Sequence, residues 1–154
     1  MRKYIILTVL VLTCGIGFKP NHQDVDPLSL GNGICELAVL HELRKHGVVH
    51  ELIVLAQSKL ETGNYKSKLT KTHNNIFGFR TKKGYIKFAS WRESVAYYKR
   101  WQDKHYKRHK HKTYYNFLTT IGYAEDPNNI TKVKRITSEL ASRTTYEVPG
   151  RLYW

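Results

Sequence analysis

Apolar positions recur at helical spacing through much of the chain. From Ile34 to His46, residues Ile34, Leu37, Ala38 and His41 share one face, with Leu40 beside it. This predicts a first helix that packs His41 inward and stops at Gly47. A second helix begins at Val48 or Val49, runs through Leu52, Ile53, Val54, Leu55, Ala56 and Leu60, and ends at Gly63 as its C′ residue. Ser90-Trp91-Arg92-Glu93 is a capping box opening a helix to about His105, with Trp91, Val95, Tyr98 and Trp101 on its buried face. Thr113 to Ile121 is a further helix, closed by Gly122, with Tyr114, Phe117, Leu118 and Ile121 facing inward. Asp126-Pro127 reads as N-cap and first position of a last helix whose stripe is Ile130, Val133, Ile136 and Leu140. Elsewhere the period changes. Asn64 to Asn75 is polar and basic and reads as a loop. Asn74-Asn75-Ile76-Phe77-Gly78 is a tight corner, and Phe79 to Phe88 reads as two short strands around Lys82-Lys83-Gly84. The fold class is mainly α (α+β), with one short hairpin.

The ends of the chain follow other rules. Residues 1–18 place Arg2 and Lys3 before an apolar run from Tyr4 to Leu12, the form of a signal peptide rather than a membrane span. Val11-Leu12-Thr13-Cys14-Gly15 resembles a bacterial lipobox, with Thr13 in place of the usual Gly, Ala or Ser. Lipidation and membrane anchoring through Cys14 is one expectation; ordinary cleavage nearby, or an uncleaved anchor, is the other. Residues 19–32, with Pro20, Pro27 and Gly31, read as a linker. The folded domain is expected over 33–143, and the tail 144–154 shows no clear period.

One hundred and fifty-four residues suffice for one domain with its own core. The formal charge of +14 narrows the partners to something anionic: nucleic acid, anionic lipid, or a wall polymer bearing carboxylates and phosphates. No nucleic-acid motif is present, and an export leader removes the chain from cytoplasmic nucleic acid. Cys14 and Cys35 form no disulfide framework or metal cluster; Cys35 reads as a small buried hydrophobe within the first helix. His105, His109 and His111 in KHYKRHKHK invite a metal reading, but no carboxylate or cysteine accompanies them, and a solvated basic loop accounts for the run. No metal or other cofactor is expected.

Candidate chemistry centres on Glu61. It lies in the last turn of the second helix, where the macrodipole disfavours an anion. Partial burial disfavours the charged form as well, and both effects raise a carboxyl pKa toward the range of a general acid. Gln57 and Ser58 lie below it at helical neighbour spacings, which suggests a polar face lining a groove. The alternative is a solvated Glu61 salt-bridged to Lys59 or Lys66.

The surrounding pattern favours the acid. Ala56-Gln57 with Leu60-Glu61-Thr62-Gly63, then Asn75-Ile76-Phe77-Gly78, then Phe88 to Ser94, then Gly122-Tyr123-Ala124 with Asp126-Pro127, occur in one order. Together they resemble the glucosaminidase domain of glycoside hydrolase family 73, over about residues 34 to 140. The resemblance implies a lysozyme-like fold with the hairpin beside a substrate groove. It also implies cleavage of peptidoglycan glycan strands outside the cytoplasm, in the periplasm or cell envelope, without a metal. It places Tyr123 at the cleft as a catalytic or sugar-binding residue beside Glu61. Gln57, Asn75, Phe77, Tyr85 and Glu125 complete the substrate-binding candidates: Asn75 as a turn cap or as a partner for an acetamido group, Phe77 chiefly as core, Tyr85 as a stacking platform or a packed strand residue. The family hairpin often carries a second carboxylate; this one, from Phe79 to Phe88, has no acid.

The activity that follows is an endo-β-N-acetylglucosaminidase with Glu61 as general acid. A second carboxylate would lie about 5 Å away in a retaining site and about 6.5–9.5 Å away in an inverting one. With no obvious candidate, a substrate-assisted route through the 2-acetamido group is favoured, Tyr123 and Asn75 orienting that group. Glu125 is the first residue to check as a second carboxylate, and Glu93 is better explained by its cap. A lytic transglycosylase and an inactive wall-binding module are the alternatives.

Overall fold

The computed structural model describes residues 33–124 and 126–147. The leader with Cys14, the linker 19–32, Glu125 and residues 148–154 lie outside the described residues. Six α-helices, one 3₁₀ turn and a two-stranded antiparallel hairpin follow one another: α1 (Glu36–Lys45), α2 (Glu51–Thr62), α3 (Lys68–His73), β1 (Arg80–Thr81), β2 (Gly84–Tyr85), α4 (Trp91–His105), the 3₁₀ turn (Arg108–Lys110), α5 (Tyr114–Thr120) and α6 (Asn129–Glu147). Among the described residues no helix is long and apolar enough to cross a membrane.

α2 is the centre of the molecule. It packs chiefly on α6 and α1, while α1 also meets α4 and α5 meets α6. Val54, Leu55, Ala56, Gln57 and Ser58 are consecutive and all buried, so this helix has almost no free side at mid-length. Gly63, in the left-handed region, returns its N–H to the carbonyls of Leu60 and Lys59 and stops the helix as expected. α4 also forms as its sequence requires. Ser90 Oγ accepts the Glu93 N–H, and the Glu93 carboxylate accepts the Ala89 N–H at 2.8 Å, which commits Glu93 to capping.

Several expectations need correction. α1 turns the face carrying Ala38, Val39, Glu42 and Leu43 inward; His41 is exposed, as is Leu37. Glu42 reaches the interior because Arg92, Lys45 and His46 all approach its carboxylate. Cys35 is the N-cap of α1 rather than a helix residue, its Sγ accepting the Ala38 N–H, and it is only partly buried. Within the expected loop Asn64–Asn75 lies the short helix α3, capped by Ser67 and stopped by Asn74 in the left-handed region. α6 begins at Asn129, so Asp126 is not its N-cap. The Asp126 carboxylate instead accepts the Asn128 N–H across the turn before the helix and pairs with Lys132. Val133 and Leu140 are buried and Ile130 and Ile136 partly so, as the stripe predicts, and the helix continues past 143 to Glu147. Ile121 is 36% exposed rather than inward.

The hairpin is too short to hold itself: its register is only Arg80 with Tyr85 and Thr81 with Gly84. Asn75 supplies what the strands lack. Fully buried, it donates from Nδ2 to the carbonyls of Phe79 (2.8 Å) and Ile86 (3.0 Å) and accepts the Phe79 N–H on Oδ1 (3.0 Å). Asn74 adds donations to the carbonyls of Phe88 and Ala89. Replacing Asn75 with Ala takes a partner from the half-buried Phe79 N–H and Ile86 carbonyl, while the Phe79 carbonyl keeps the Ile86 N–H, and the expected loss is about 2 kcal/mol. Urea unfolding of Asn75→Ala beside wild type measures it; a loss under about 1 kcal/mol would mean that water replaces the clamp.

Candidate active site

The site is built where the end of α2 meets the corner before the hairpin and the start of α6. Gly78 adopts φ +69°, a conformation glycine takes without strain, and a Cβ built there would stand 3.3 Å from Glu61 Oε2. The missing side chain lets the corner run directly against the carboxyl. From the other side, Asn129 Nδ2 lies 3.5 Å from Glu61 Oε1, a long hydrogen bond. Glu61 is exposed as a residue, yet desolvation of the carboxyl raises its pKa from the ordinary value, and the Asn129 contact opposes that rise.

Glu61 stands apart from the other acidic residues with described side chains in having neither a cation partner nor a capping role. Every other acidic residue with a described side chain is committed. Glu36 pairs with Lys59 and Arg143, Glu42 with Arg92, Lys45 and His46, and Glu51 with Arg44. Asp103 pairs with Lys99, Asp126 with Lys132 and Glu139 with Arg135, and Glu93 serves the cap. Glu61, among the described residues, has no Lys, Arg or His within ion-pair distance. Lys59, one of its expected salt-bridge partners, is spent on Glu36.

Tyr123 stands at this cleft. Its phenol donates to the Phe77 carbonyl at 3.2 Å, and its ring meets Trp101 edge-on at 5.6 Å. Burial, then the nearby Glu61 charge, holds its pKa well above the usual phenol value, so it stays a neutral phenol. A cavity of about 370 Å³ opens beside it, lined by the corner Phe77-Gly78-Phe79, by Arg80, and by Trp101, His105, Ile121 and Tyr123. Exposure of Ile121 thus serves the wall of this cavity.

The remaining candidates divide. Phe77 is core and contributes to the cavity wall. Tyr85 is 52% exposed on β2, its ring 5.7 Å from the Arg80 guanidinium carbon, and does not line the cavity. Gln57 is 1% exposed and Ser58 fully buried, so this face of α2 lines the core and not a groove. Ser58 donates back to the Leu55 carbonyl. Gln57 Oε1 accepts from Tyr98, whose oxygen lies 2.8 Å from the Tyr114 hydroxyl; Gln102 donates to Tyr114 in turn. With Gln102 and Tyr98 as donors at its ends, the chain runs in one direction, Gln102 to Tyr114 to Tyr98 to Gln57, and fastens α4 and α5 to α2. Asn75 cannot orient an acetamido group, because both ends of its amide are committed to the hairpin. Glu125 lies outside the described residues.

Asn129 is the residue that sequence reasoning missed. It is 7% exposed, and its Oδ1 is buried without a partner. A polar residue opening an amphipathic helix looks like part of an N-terminal turn, and only the meeting of α6 with α2 aims it at Glu61. The histidines do not converge: His105 faces the Trp101 ring and His111 the rings of Tyr106 and Phe117, and no group of three or more metal-ligating side chains occurs among the described residues.

A family model named Glucosaminidase, described as mannosyl-glycoprotein endo-beta-N-acetylglucosaminidase, matches residues 37–142. No curated protein and no solved structure matches the chain. The matched span contains the end of α2 with Glu61, the Asn75–Gly78 corner, the hairpin and Tyr123. The chain therefore belongs to the glucosaminidase family, glycoside hydrolase family 73, a family of peptidoglycan hydrolases.

Proposed function

We propose that the protein is an endo-β-N-acetylglucosaminidase that cuts peptidoglycan strands on the reducing side of N-acetylglucosamine, with Glu61 as general acid. The observation that carries this reading is the carboxyl of Glu61: exposed beside Gly78, which lines the Tyr123 cavity, approached by Asn129, free of cation partners among the described residues, and raised in pKa by desolvation. Such a carboxyl holds its proton to higher pH than an ordinary glutamate and delivers it to a leaving glycosidic oxygen. Asn129 positions the carboxyl. Tyr123, kept protonated, orients substrate as a hydrogen-bonding phenol and does not attack as a phenolate.

The commitment of the other described carboxylates favours attack by the substrate's own 2-acetamido oxygen over a second protein carboxylate. The same observation suits a lytic transglycosylase, in which a single acid also suffices, and the product separates the two. The proposal includes a catalytic domain over 33–143, export through the 1–18 leader, and a linker at 19–32. Anchoring at Cys14 belongs to the same proposal.

Digestion of purified peptidoglycan, with released fragments identified by mass spectrometry, tests the reaction. Reducing-end N-acetylglucosamine is the expected product; anhydro sugar ends would establish the transglycosylase. Glu61→Gln should lower kcat by about 10²–10⁴-fold, the usual contribution of a general acid. Its folded-state pKa is raised, so the charged form costs stability at pH above that pKa. Removing the charge should therefore leave the melting temperature at pH 7 unchanged or higher. A variant that unfolds would show Glu61 to be structural.

The pH profile supplies a second test. The protonated acid is the working form, so kcat/KM should fall as pH rises through the raised Glu61 pKa. Asn129 stabilises the carboxylate, and Asn129→Ala should therefore move that alkaline limb to higher pH, with little change in the acid limb. An unmoved limb in Asn129→Ala would remove Asn129 from the site.

A further inference from the structure

The cavity beside Tyr123 does not end at Trp101. Trp101 and His105 also line, with Tyr97, Arg100 and Lys104, a second hollow of about 200 Å³. These five positions, 97, 100, 101, 104 and 105, follow the three-and-four spacing of one helix face. It is not the face that α4 buries, which carries Trp91, Ser94, Val95, Tyr98 and Gln102. The stripe interleaves two aromatic rings with two permanent cations and a histidine, and Arg80 adds a third cation from β1 where the first cavity meets the corner.

Three observations point to a ligand with negative charge. Among the described residues no carboxylate lines either hollow; Asp103, on the same helix, lies on the wall of another cavity and pairs with Lys99. Arg80, Arg100 and Lys104 enter no ion pair among the described residues, so their charge is uncompensated along this path. The Arg100 guanidinium carbon stands 5.6 Å from the centre of the Tyr97 ring, which holds the fork against an aromatic surface while its N–H groups remain available. A bare neutral sugar chain would be served by the aromatic rings alone.

We infer that this α4 stripe is a second binding site, continuous with the Tyr123 cavity, for the carboxylates of the peptide stems that substituted glycan strands carry. The substrate class is then stem-bearing glycan, gripped on its sugars at the Tyr123 cavity and on its stem carboxylates at Arg100 and Lys104. The inference rests on the peptidoglycan reading above, but binding tests it without turnover.

The probe is insoluble peptidoglycan with free stem carboxylates, beside the same material after carbodiimide coupling to methylamine has neutralised them. Cosedimentation is measured with full-length Glu61→Gln, so cleavage plays no part, and failure of the hydrolase reading would appear separately in the digestion of wild type. Binding to the untreated wall should be about tenfold tighter than to the amidated wall, the scale of two partly exposed charge pairs acting together. Adding Arg100→Gln and Lys104→Gln should abolish that preference. Adding Lys134→Gln and Arg135→Gln, an equal charge loss on α6, should retain it. Equal binding to both walls overturns the inference, as does an equal loss in the two charge variants, which would assign the effect to bulk charge. A preference that disappears when phosphate polymers are stripped from the wall, and not when carboxylates are amidated, overturns it in favour of a phosphate ligand.

Discussion

Burial of α2 on nearly every side is the constraint on which the site depends. Five consecutive buried residues, Val54 to Ser58, leave the helix no freedom to roll or slide against α1 and α6. Glu61 lies one turn further on and inherits that rigidity, so its carboxyl is positioned by hydrophobic packing rather than by a salt bridge. The polar members of the run find partners for their oxygens, although Gln57 Nε2 is buried without one. Ser58 bonds back to its own helix, and Gln57 receives the end of a phenol chain running through Tyr98 and Tyr114. Packing thus fixes the acid without bringing a cation near it.

The corner opposite is held by a different device. Two strands of two residues have little intrinsic stability, and the buried Asn75 amide replaces the missing ladder with three hydrogen bonds to backbone. The same corner brings Gly78 to Glu61 and offers the Phe77 carbonyl to Tyr123. A change at Asn75 would therefore reach the active site through backbone position, although the side chain touches no catalytic group.

What could be read from the sequence follows from where the determinants lie. The Ser90 cap, the Gly63 stop and the inner faces of α4 and α6 are written in local order, and they form as the pattern predicts except at Trp101, which is half-buried and lines the cavity wall. α3 was not legible because Lys68–His73 has no apolar stripe; it is held by caps at Ser67 and Asn74, with only Thr70 buried. The α1 face was misread because a carboxylate, Glu42, is drawn inward by Arg92 from another helix, and no periodicity carries that information. Gln57, and Asn75 alongside its reading as a turn cap, stood as substrate candidates because buried polar side chains and cleft-lining ones look alike in a string of letters. Glu61 could be singled out from its place at the helix end and from the ordered motifs around it, and its carboxyl has the raised pKa expected of that place. Its neighbour Asn129, distant in sequence and joined to it only by tertiary packing, could not be singled out.

The charge distribution resolves a conflict that a chain of net charge +14 faces. A cation beside Glu61 would stabilise the carboxylate and pull its pKa down, which would deprive a general acid of its proton near neutral pH. A wall polymer bearing carboxylates nevertheless favours a cationic surface for its capture. The two demands are met by separation. Desolvation with a neutral amide, Asn129, sets the acid, while Arg100 and Lys104 lie on a stripe of α4 beyond the Trp101 wall. Salt of physiological strength, with a Debye length of about 8 Å, further screens the field of exposed cations. Cations on that stripe can attract the substrate's carboxylates while making no ion pair with Glu61. Moving one of them within ion-pair distance of Glu61 would strengthen capture and weaken the chemical step together.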